Sequence, residues 1–299
     1  MKKNLSVRKK CVLCGSKKLK IVLDFKKTPL ANSYVSFRHI KQESYPLVCV
    51  LCLDCKHLQL QHLIKPNILF EDYMYVSGTS PVLVKHFENY FKKIKKYIKL
   101  NKSKDKILDI ACNDGTFLNF FVKDKFQKVV GIEPAKNLRT LNKRKKIDIN
   151  TIFFNYKNSF KLKKKYGKFK IITANNVFAH VPNLKDFALG VKNILADDGL
   201  FIFEVSYLRD VLRKLTFDTI YHEHMSYHAL KPLIYFFHKI DLSVVDFDLV
   251  EAQGGSIRVY VSHQGRKKNN KKIRRQILLE NKNNLFSIQK YIDYAKKIK

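Results

Sequence analysis

Tyr221-His222-Glu223-His224 sets a phenol, two imidazoles and a carboxylate in four consecutive residues, with Asp218 just before and His228 just after. Imidazole and carboxylate are the groups that move protons near neutral pH, so this stretch is the first candidate for general acid–base chemistry. A solvated polar loop is its plain alternative. It is not a metal-binding H-E-x-x-H helix, because His222 and His224 are two residues apart rather than one helical turn. Metal chemistry belongs to the other end of the chain. Cys11-Val12-Leu13-Cys14 and Cys52-Leu53-Asp54-Cys55 are C-x2-C knuckles, whose thiolates can converge on one tetrahedral Zn2+. Cys49 and Cys52 also read as C-x2-C, an alternative register. Cys52 and Cys55 are preferred because each knuckle then ends in a turn, at Gly15 and at Lys56, while Cys49 falls in the apolar alternation Leu47–Leu51. Four thiolates close the coordination sphere, so Cys11, Cys14, Cys52 and Cys55 are expected to hold a structural zinc.

Positioning these groups takes a sheet. Residues 82–99 carry a mostly apolar helical stripe through Val82, Val84, His86, Phe87, Tyr90, Phe91, Ile94 and Ile98. Lys106–Ala111 then reads as a buried strand, Cys112–Gly115 as a turn and Thr116–Val122 as the start of a helix. Lys128–Ile132 is a second strand ending on Glu133-Pro134. A glycine turn followed after roughly 20 residues by an acidic strand end is the spacing of a ribose-binding doubly wound sheet. The turn has Ala111 and only Gly115, short of the three glycines that admit a pyrophosphate, so a ribose ligand without phosphate fits better. S-adenosylmethionine has that character. Phe169–Ala174 ends in Asn175-Asn176 with His180 close behind, at the edge where such sheets bind ligands. Gly199–Val205 is the next strand, and Leu242–Leu249 with Ser256–Val261 reads as a late antiparallel pair at one edge. The layout is α/β, a Rossmann-like class I methyltransferase core.

The formal charge is +34, from 59 Lys+Arg against 25 Asp+Glu, which keeps nucleic-acid binding in view. The lysines, however, are spread along the whole chain, so solvated surface explains them and a nucleic-acid partner is not expected. No apolar run approaches the roughly 20 residues that cross a bilayer, and no signal peptide opens the chain, so neither membrane nor export is expected. A cytoplasmic monomer is the default.

The residues resemble a family, the sugar C-methyltransferases. The resemblance is carried by Cys11-x2-Cys14-Gly15, by Tyr45-Pro46-Leu47 through Cys52-x2-Cys55 and Gln59-Leu60, and by Asp72-Tyr73-Met74-Tyr75-Val76-Ser77. It continues through Asp109–Gly115, Gly131-Ile132-Glu133-Pro134 and Asn175–Pro182. Its most specific parts are Phe217–Tyr227 and Gly254–Tyr260. The resemblance implies a zinc-binding domain over residues 1–66 and a methyltransferase domain over 67–265 with a catalytic insertion at 206–240. It also implies a C-terminal domain, begun at 266–299. By the same resemblance, S-adenosylmethionine is held by Asp109, Ala111, Asn113, Asp114, Gly115, Glu133, Asn175 and Asn176. The implied reaction methylates a carbon beside the keto group of a nucleotide-linked 4-keto-deoxysugar. That chemistry needs a base for a weak carbon acid and donors for an enolate oxygen. His224 is the implied base and Glu223 its orienting partner. Tyr221 and His180 hold the sugar or enolate oxygen, and Tyr75 (or Tyr73) approaches from the zinc-domain side. The chain departs from the family at Ala111, where glycine is usual. It also stops at Lys299 inside a helical pattern that begins near Lys271, so a truncated C-terminal domain is expected, with cofactor binding kept and sugar-nucleotide binding weakened. The rivals are O- or N-methylation of another small metabolite and a non-catalytic zinc-ribbon nucleic-acid binder.

Overall fold

The computed structural model describes residues 4–37, 41–71, 73–138, 147–265 and 270–298. Asp72 of the Asp72–Ser77 stretch therefore lies outside the described residues. The chain begins with β1 (Leu5–Val7), β2 (Leu19–Pro29), β3 (Ser44–Cys52), β4 (Leu58–Leu60) and β5 (His62–Ile64), followed by a short helix, α1 (Pro66–Phe70). A single 3-10 turn, Ser77–Thr79, leads into the long helix α2 (Pro81–Tyr97). The core then runs β6 (Lys106–Ile110), α3 (Thr116–Lys123), β7 (Lys128–Ile132), β8 (Asp148–Asn150), α4 (Tyr156–Tyr166) and β9 (Phe169–Asn175). It continues as α5 (Leu184–Ile194), β10 (Leu195–Ser206), α6 (Leu208–Lys214), β11 (Ser226–Tyr227) and α7 (Leu230–His238). β12 (Leu242–Val250), β13 (Ser256–His263), α8 (Asn270–Lys282) and α9 (Ile288–Lys297) complete it.

Local chemistry sets the helix starts. Ser80, Asn155 and Asn183 each accept a backbone N–H three residues on, from Leu83, Asn158 and Asp186, and so cap α2, α4 and α5. The buried face of α2 is Leu83, Phe87, Tyr90, Phe91 and Ile94. Phe87, Tyr90, Phe91 and Ile94 are the face read from sequence, but in the first turn Leu83 is buried and Val82, assigned to that face, is 81% exposed. Strand β6 is buried on both sides: Ile107 packs with the α2–α3 aromatics, while Leu108 and Ile110 face the opposite layer.

The large sheet has the order β12-β13-β10-β9-β6-β7-β8. β9, β6, β7 and β8 pair in parallel, and β13 runs antiparallel to both β10 and β12. The antiparallel β13 with β12 outside it is the class I methyltransferase arrangement, as the late pair indicated. The order reverses between β6 and β9, so the ligand crevice lies at the C-terminal ends of those strands. A second sheet, β11-β4-β3-β2, carries the cysteine knuckles. Its strand β11 comes from the segment that follows His224, where Ser226 pairs with Gln59 and Tyr227 with Leu58. The small sheet is thus completed by a strand from the segment that follows His224. Within the segment 206–240, α7 packs Phe236 and Phe237 into the core with Phe178 and so behaves as a layer of the main domain.

Candidate active site

The turn after β6 is built from left-handed residues: φ is 54° at Ala111, 54° at Asn113 and 72° at Gly115. That is the conformation glycine adopts at least cost, and Ala111 adopts it with a methyl group in place. Glu133, at the end of β7, is buried, and its carboxylate accepts the backbone N–H of Asn113 at 2.7 Å and of Ala135 at 2.9 Å. Burial raises its pKa and the two N–H donors oppose the rise. Each oxygen keeps a lone pair for a further donor. Asp109 is buried beside it, accepting from the Thr173 hydroxyl at 2.6 Å and the Asn175 amide at 3.4 Å, and burial pushes its pKa up to about 7. Asn175 Oδ1 is a buried acceptor with no partner among the described residues. A ligand bearing ribose hydroxyls and an amino group supplies the donors these acceptors lack, so the residues fit S-adenosylmethionine.

Asp109, Ala111, Asn113, Glu133, Asn175 and Asn176 all line one cavity of about 800 Å³, within the roughly 300–1,000 Å³ of small-molecule sites. Asp114 and Gly115 do not line it. Asp114 accepts the Thr116 backbone N–H at 3.1 Å and hydroxyl at 2.7 Å, and Gly115 is the N-cap of α3, so both shape the turn.

The far wall of the same cavity holds His180, Tyr221 and His224. His224 Nδ1 lies 2.7 Å from the Thr219 carbonyl oxygen. A carbonyl only accepts, so Nδ1 carries the proton and Nε2 is the basic nitrogen. The Tyr221 hydroxyl, 3.2 Å away, donates to Nε2. Burial lowers the His224 pKa to about 4, with the Thr219 contact opposing, so the ring is neutral at pH 7. His180 packs edge-on against it at 4.9 Å between centroids, and burial holds its pKa well down too. Glu223 does not orient His224, contrary to the sequence-based expectation. Its Oε1 accepts from the Asn32 amide, and its Oε2 is buried without a partner among the described residues. The Thr219 carbonyl fixes the imidazole instead. Burial raises the Glu223 pKa.

Tyr73 and Tyr75 both reach the cavity, but differently. Tyr75 is 45% exposed and feels Asp114. Tyr73 lines the cavity, and its phenol pKa is raised by burial first and by the charges of Glu223 and Glu133 after it. Tyr73, Thr219 and Asn32 are the groups that single-residue chemistry undervalues. Asn32 sits 191 positions from Glu223 with no local motif around it.

The four cysteine sulfurs lie within 4.8 Å of one another. Cys11 and Cys55 are 3.4 Å apart, Cys14 and Cys52 3.6 Å. Bonds of about 2.3 Å to a tetrahedral zinc imply sulfur separations near ~3.8 Å, so the cluster fits Zn2+. Cys49 is wholly buried in β3 and outside the cluster. The turns predicted at Gly15 and Lys56 are present, each with positive φ and an N–H bonded to the knuckle's first cysteine carbonyl.

Residues 84–246 match the family model described as "Methyltransferase domain", and residues 11–70 the one described as "Putative zinc binding domain". The C-methyltransferase NovU of Streptomyces niveus is 31% identical over 254 residues, covering 84% of this chain and 60% of NovU. The chain thus spans about 60% of the length of that relative. Among solved structures, the PH0226 protein of Pyrococcus horikoshii OT3 aligns with a TM-score of 0.49 at 16% identity, over 67% of this chain and 96% of that one. Magnesium protoporphyrin IX methyltransferase of Synechocystis PCC 6803, with bound SAH, aligns with a TM-score of 0.46 at 11% identity, over 64% of this chain and 90% of that one. No helix among the described residues is long and apolar enough to cross a membrane.

Proposed function

We propose, on the premise that this chain belongs to the methyltransferase-domain family and carries a zinc-binding domain before it, that it methylates a carbon beside the keto group of a nucleotide-linked deoxysugar. The cofactor is S-adenosylmethionine, which supplies an electrophilic methyl group on a sulfonium. Asp109, Ala111, Asn113, Glu133, Asn175 and Asn176 are the residues to hold it, with Glu133 taking the ribose hydroxyls. The carbon as acceptor is supported by the name of the relative, C-methyltransferase NovU.

One observation carries the reading. A neutral histidine with a fixed tautomer shares the cavity with the cofactor residues, its basic nitrogen touched by a tyrosine hydroxyl. His224 Nε2 takes the proton from the carbon next to the ketone. The C–H electrons move into the enolate, and the Tyr221 hydroxyl, released from Nε2, turns to donate to the enolate oxygen. His180 lines the cavity beside His224 as a second donor. Tyr73 and Asn32 also line the cavity, and Asn32 donates to Glu223, which stands behind the lining residues. With S-adenosylmethionine bound, the enolate carbon would take the sulfonium methyl as the carbon–sulfur bond breaks, leaving S-adenosylhomocysteine and a neutral ketone.

The test is solvent-deuterium exchange at that carbon, with S-adenosylhomocysteine bound and a 4-keto-deoxysugar nucleotide as substrate. Wild type should exchange, and His224→Ala should slow exchange by about 10²–10⁴-fold. A preparation that binds S-adenosylhomocysteine but catalyses no exchange would sink the carbon-acid mechanism.

A further inference from the structure

Between α1 and α2 the chain runs along the cavity as a strap, Tyr73–Ser77, of which Tyr73, Tyr75 and Ser77 line it, with no regular secondary structure before its 3-10 turn. Its backbone is bonded by two asparagine side chains from two different strand-end loops. Asn137, in the loop after β7, accepts from the Tyr73 N–H at 3.2 Å and donates to the Tyr73 carbonyl at 2.9 Å. Asn113, in the loop after β6, accepts from the Ser77 N–H and donates to the Tyr75 carbonyl, both at 2.8 Å. Next in the chain, Gly78 passes so close to α3 that a Cβ there would sit 2.4 Å from Asp114 Oδ2 and 2.7 Å from Thr116 Oγ1. The same two loops meet at Glu133, which accepts the Asn113 and Ala135 backbone N–H groups. A continuous chain of hydrogen bonds therefore runs from the Glu133 carboxylate through Asn113 to the strap, and Asn137, two residues after Ala135 in the other loop, bonds Tyr73.

We propose that Asn137 is a positioning residue: with Asn113 it fastens the strap to the two cofactor loops, so that cofactor binding sets Tyr73 in the methyl-transfer cavity. The inference rests on the cofactor assignment made above. Cofactor bound to Glu133 steadies both loops, and steadied loops hold both asparagines in register with the strap. The strap in turn carries Tyr73, which lines the same cavity as Glu133, Tyr221 and His224. Ordering of this kind favours cofactor binding before sugar binding, because the wall that receives the sugar is completed by the first ligand.

Amide hydrogen exchange with S-adenosylhomocysteine as the only ligand tests this. In wild type, ligand should slow exchange at Tyr73 and Ser77 about tenfold or more, and in Asn137→Ala that protection at Tyr73 should fall below about threefold. Exchange within β6 and β7, and the ligand's Kd by calorimetry, should change by less than about threefold. Gly78→Ala, which displaces the strap by collision without touching either asparagine, should weaken the protection in the same way. Turnover should show the same split, with kcat reduced and the cofactor KM nearly unchanged. Protection at Tyr73 that survives Asn137→Ala, or no ligand-dependent protection in wild type that binds the ligand, overturns the proposal. Absence of any binding heat overturns the cofactor assignment and this inference together, and calorimetry separates that case from the others.

Discussion

His224 is a base whose environment keeps it uncharged. Its folded pKa is about 4, against about 6.5 for an unburied imidazole, and burial is the cause. Between those values the unfolded chain binds a proton that the folded chain refuses. Stability from this group is therefore complete above about pH 6.5 and is lost as pH falls towards 4, by about 3 kcal/mol. His180, also pushed well down by burial, adds a loss in the same direction. Urea titrations from pH 7.5 to 4 should show the slope, and His224→Gln should flatten it; an unchanged slope in that variant would assign the acid sensitivity elsewhere. In the deuterium-exchange rate, the limb belonging to this base should appear near pH 4 and not near 6.5. The sequence made His224, Tyr221 and His180 visible because their side chains advertise proton chemistry. Thr219 stayed hidden because it acts through a backbone carbonyl that every residue has. Asn32 stayed hidden because its partner, Glu223, lies 191 positions away and meets it only in the folded chain.

At the scale of elements, an ion pair holds α2 against the strand ends. Glu204 on β10 and Arg258 on β13 are register partners, both buried, with the guanidinium 2.8 Å from the carboxylate and 3.7 Å from the Tyr90 ring centroid. His86 of α2 closes the group with a 2.8 Å contact to the other carboxylate oxygen. Burial alone would raise the Glu204 pKa, but His86 and Arg258 bring it below its usual value. Truncating one partner leaves a buried charge unpaired, so Arg258→Met should cost about 3–5 kcal/mol in a urea melt. Glu204→Gln combined with Arg258→Met should cost less than Arg258→Met alone. A double variant as unstable as the sum of the singles would mean the two charges do not act as a pair. The strands themselves were legible as apolar runs between turns, and Lys128–Ile132 has the bounds read from sequence. The α2 stripe was legible from Phe87 onward but not in its first turn, because Val82 and Leu83 are equally apolar and only packing selects between them. β8 escaped because Asp148–Asn150 is only three residues long and two of them are polar.

For the molecule as a whole, the zinc cluster and the proton-transfer wall belong to one mechanical unit. The knuckles clamp the sheet that β11 completes, and β11 begins two residues after His224. Met225, between them, is stitched on three sides: its carbonyl accepts from the Leu60 N–H at 3.1 Å and from Arg8 at 2.8 Å, and its N–H reaches the Ala179 carbonyl at 2.8 Å. The spacing of the cysteines announced the metal but not this consequence, which depends on a strand donated from more than 150 positions away. The loops holding the cofactor are fixed by the large sheet and need no metal. Zinc removal should therefore separate the two activities of the site. Metal analysis of the intact chain should find one zinc, and Cys52→Ser or chelation should lower it and release the small sheet. Turnover and substrate deuterium exchange should then fall by about 10²-fold or more as His224 loses its geometry. S-adenosylhomocysteine binding by calorimetry should weaken less than about fivefold, since Glu133, Asp109 and Asn175 lie on β7, β6 and β9 or at their ends. Parallel loss of binding and turnover would instead mean that the zinc sheet supports the entire fold, and full turnover without zinc would detach the metal from the chemistry.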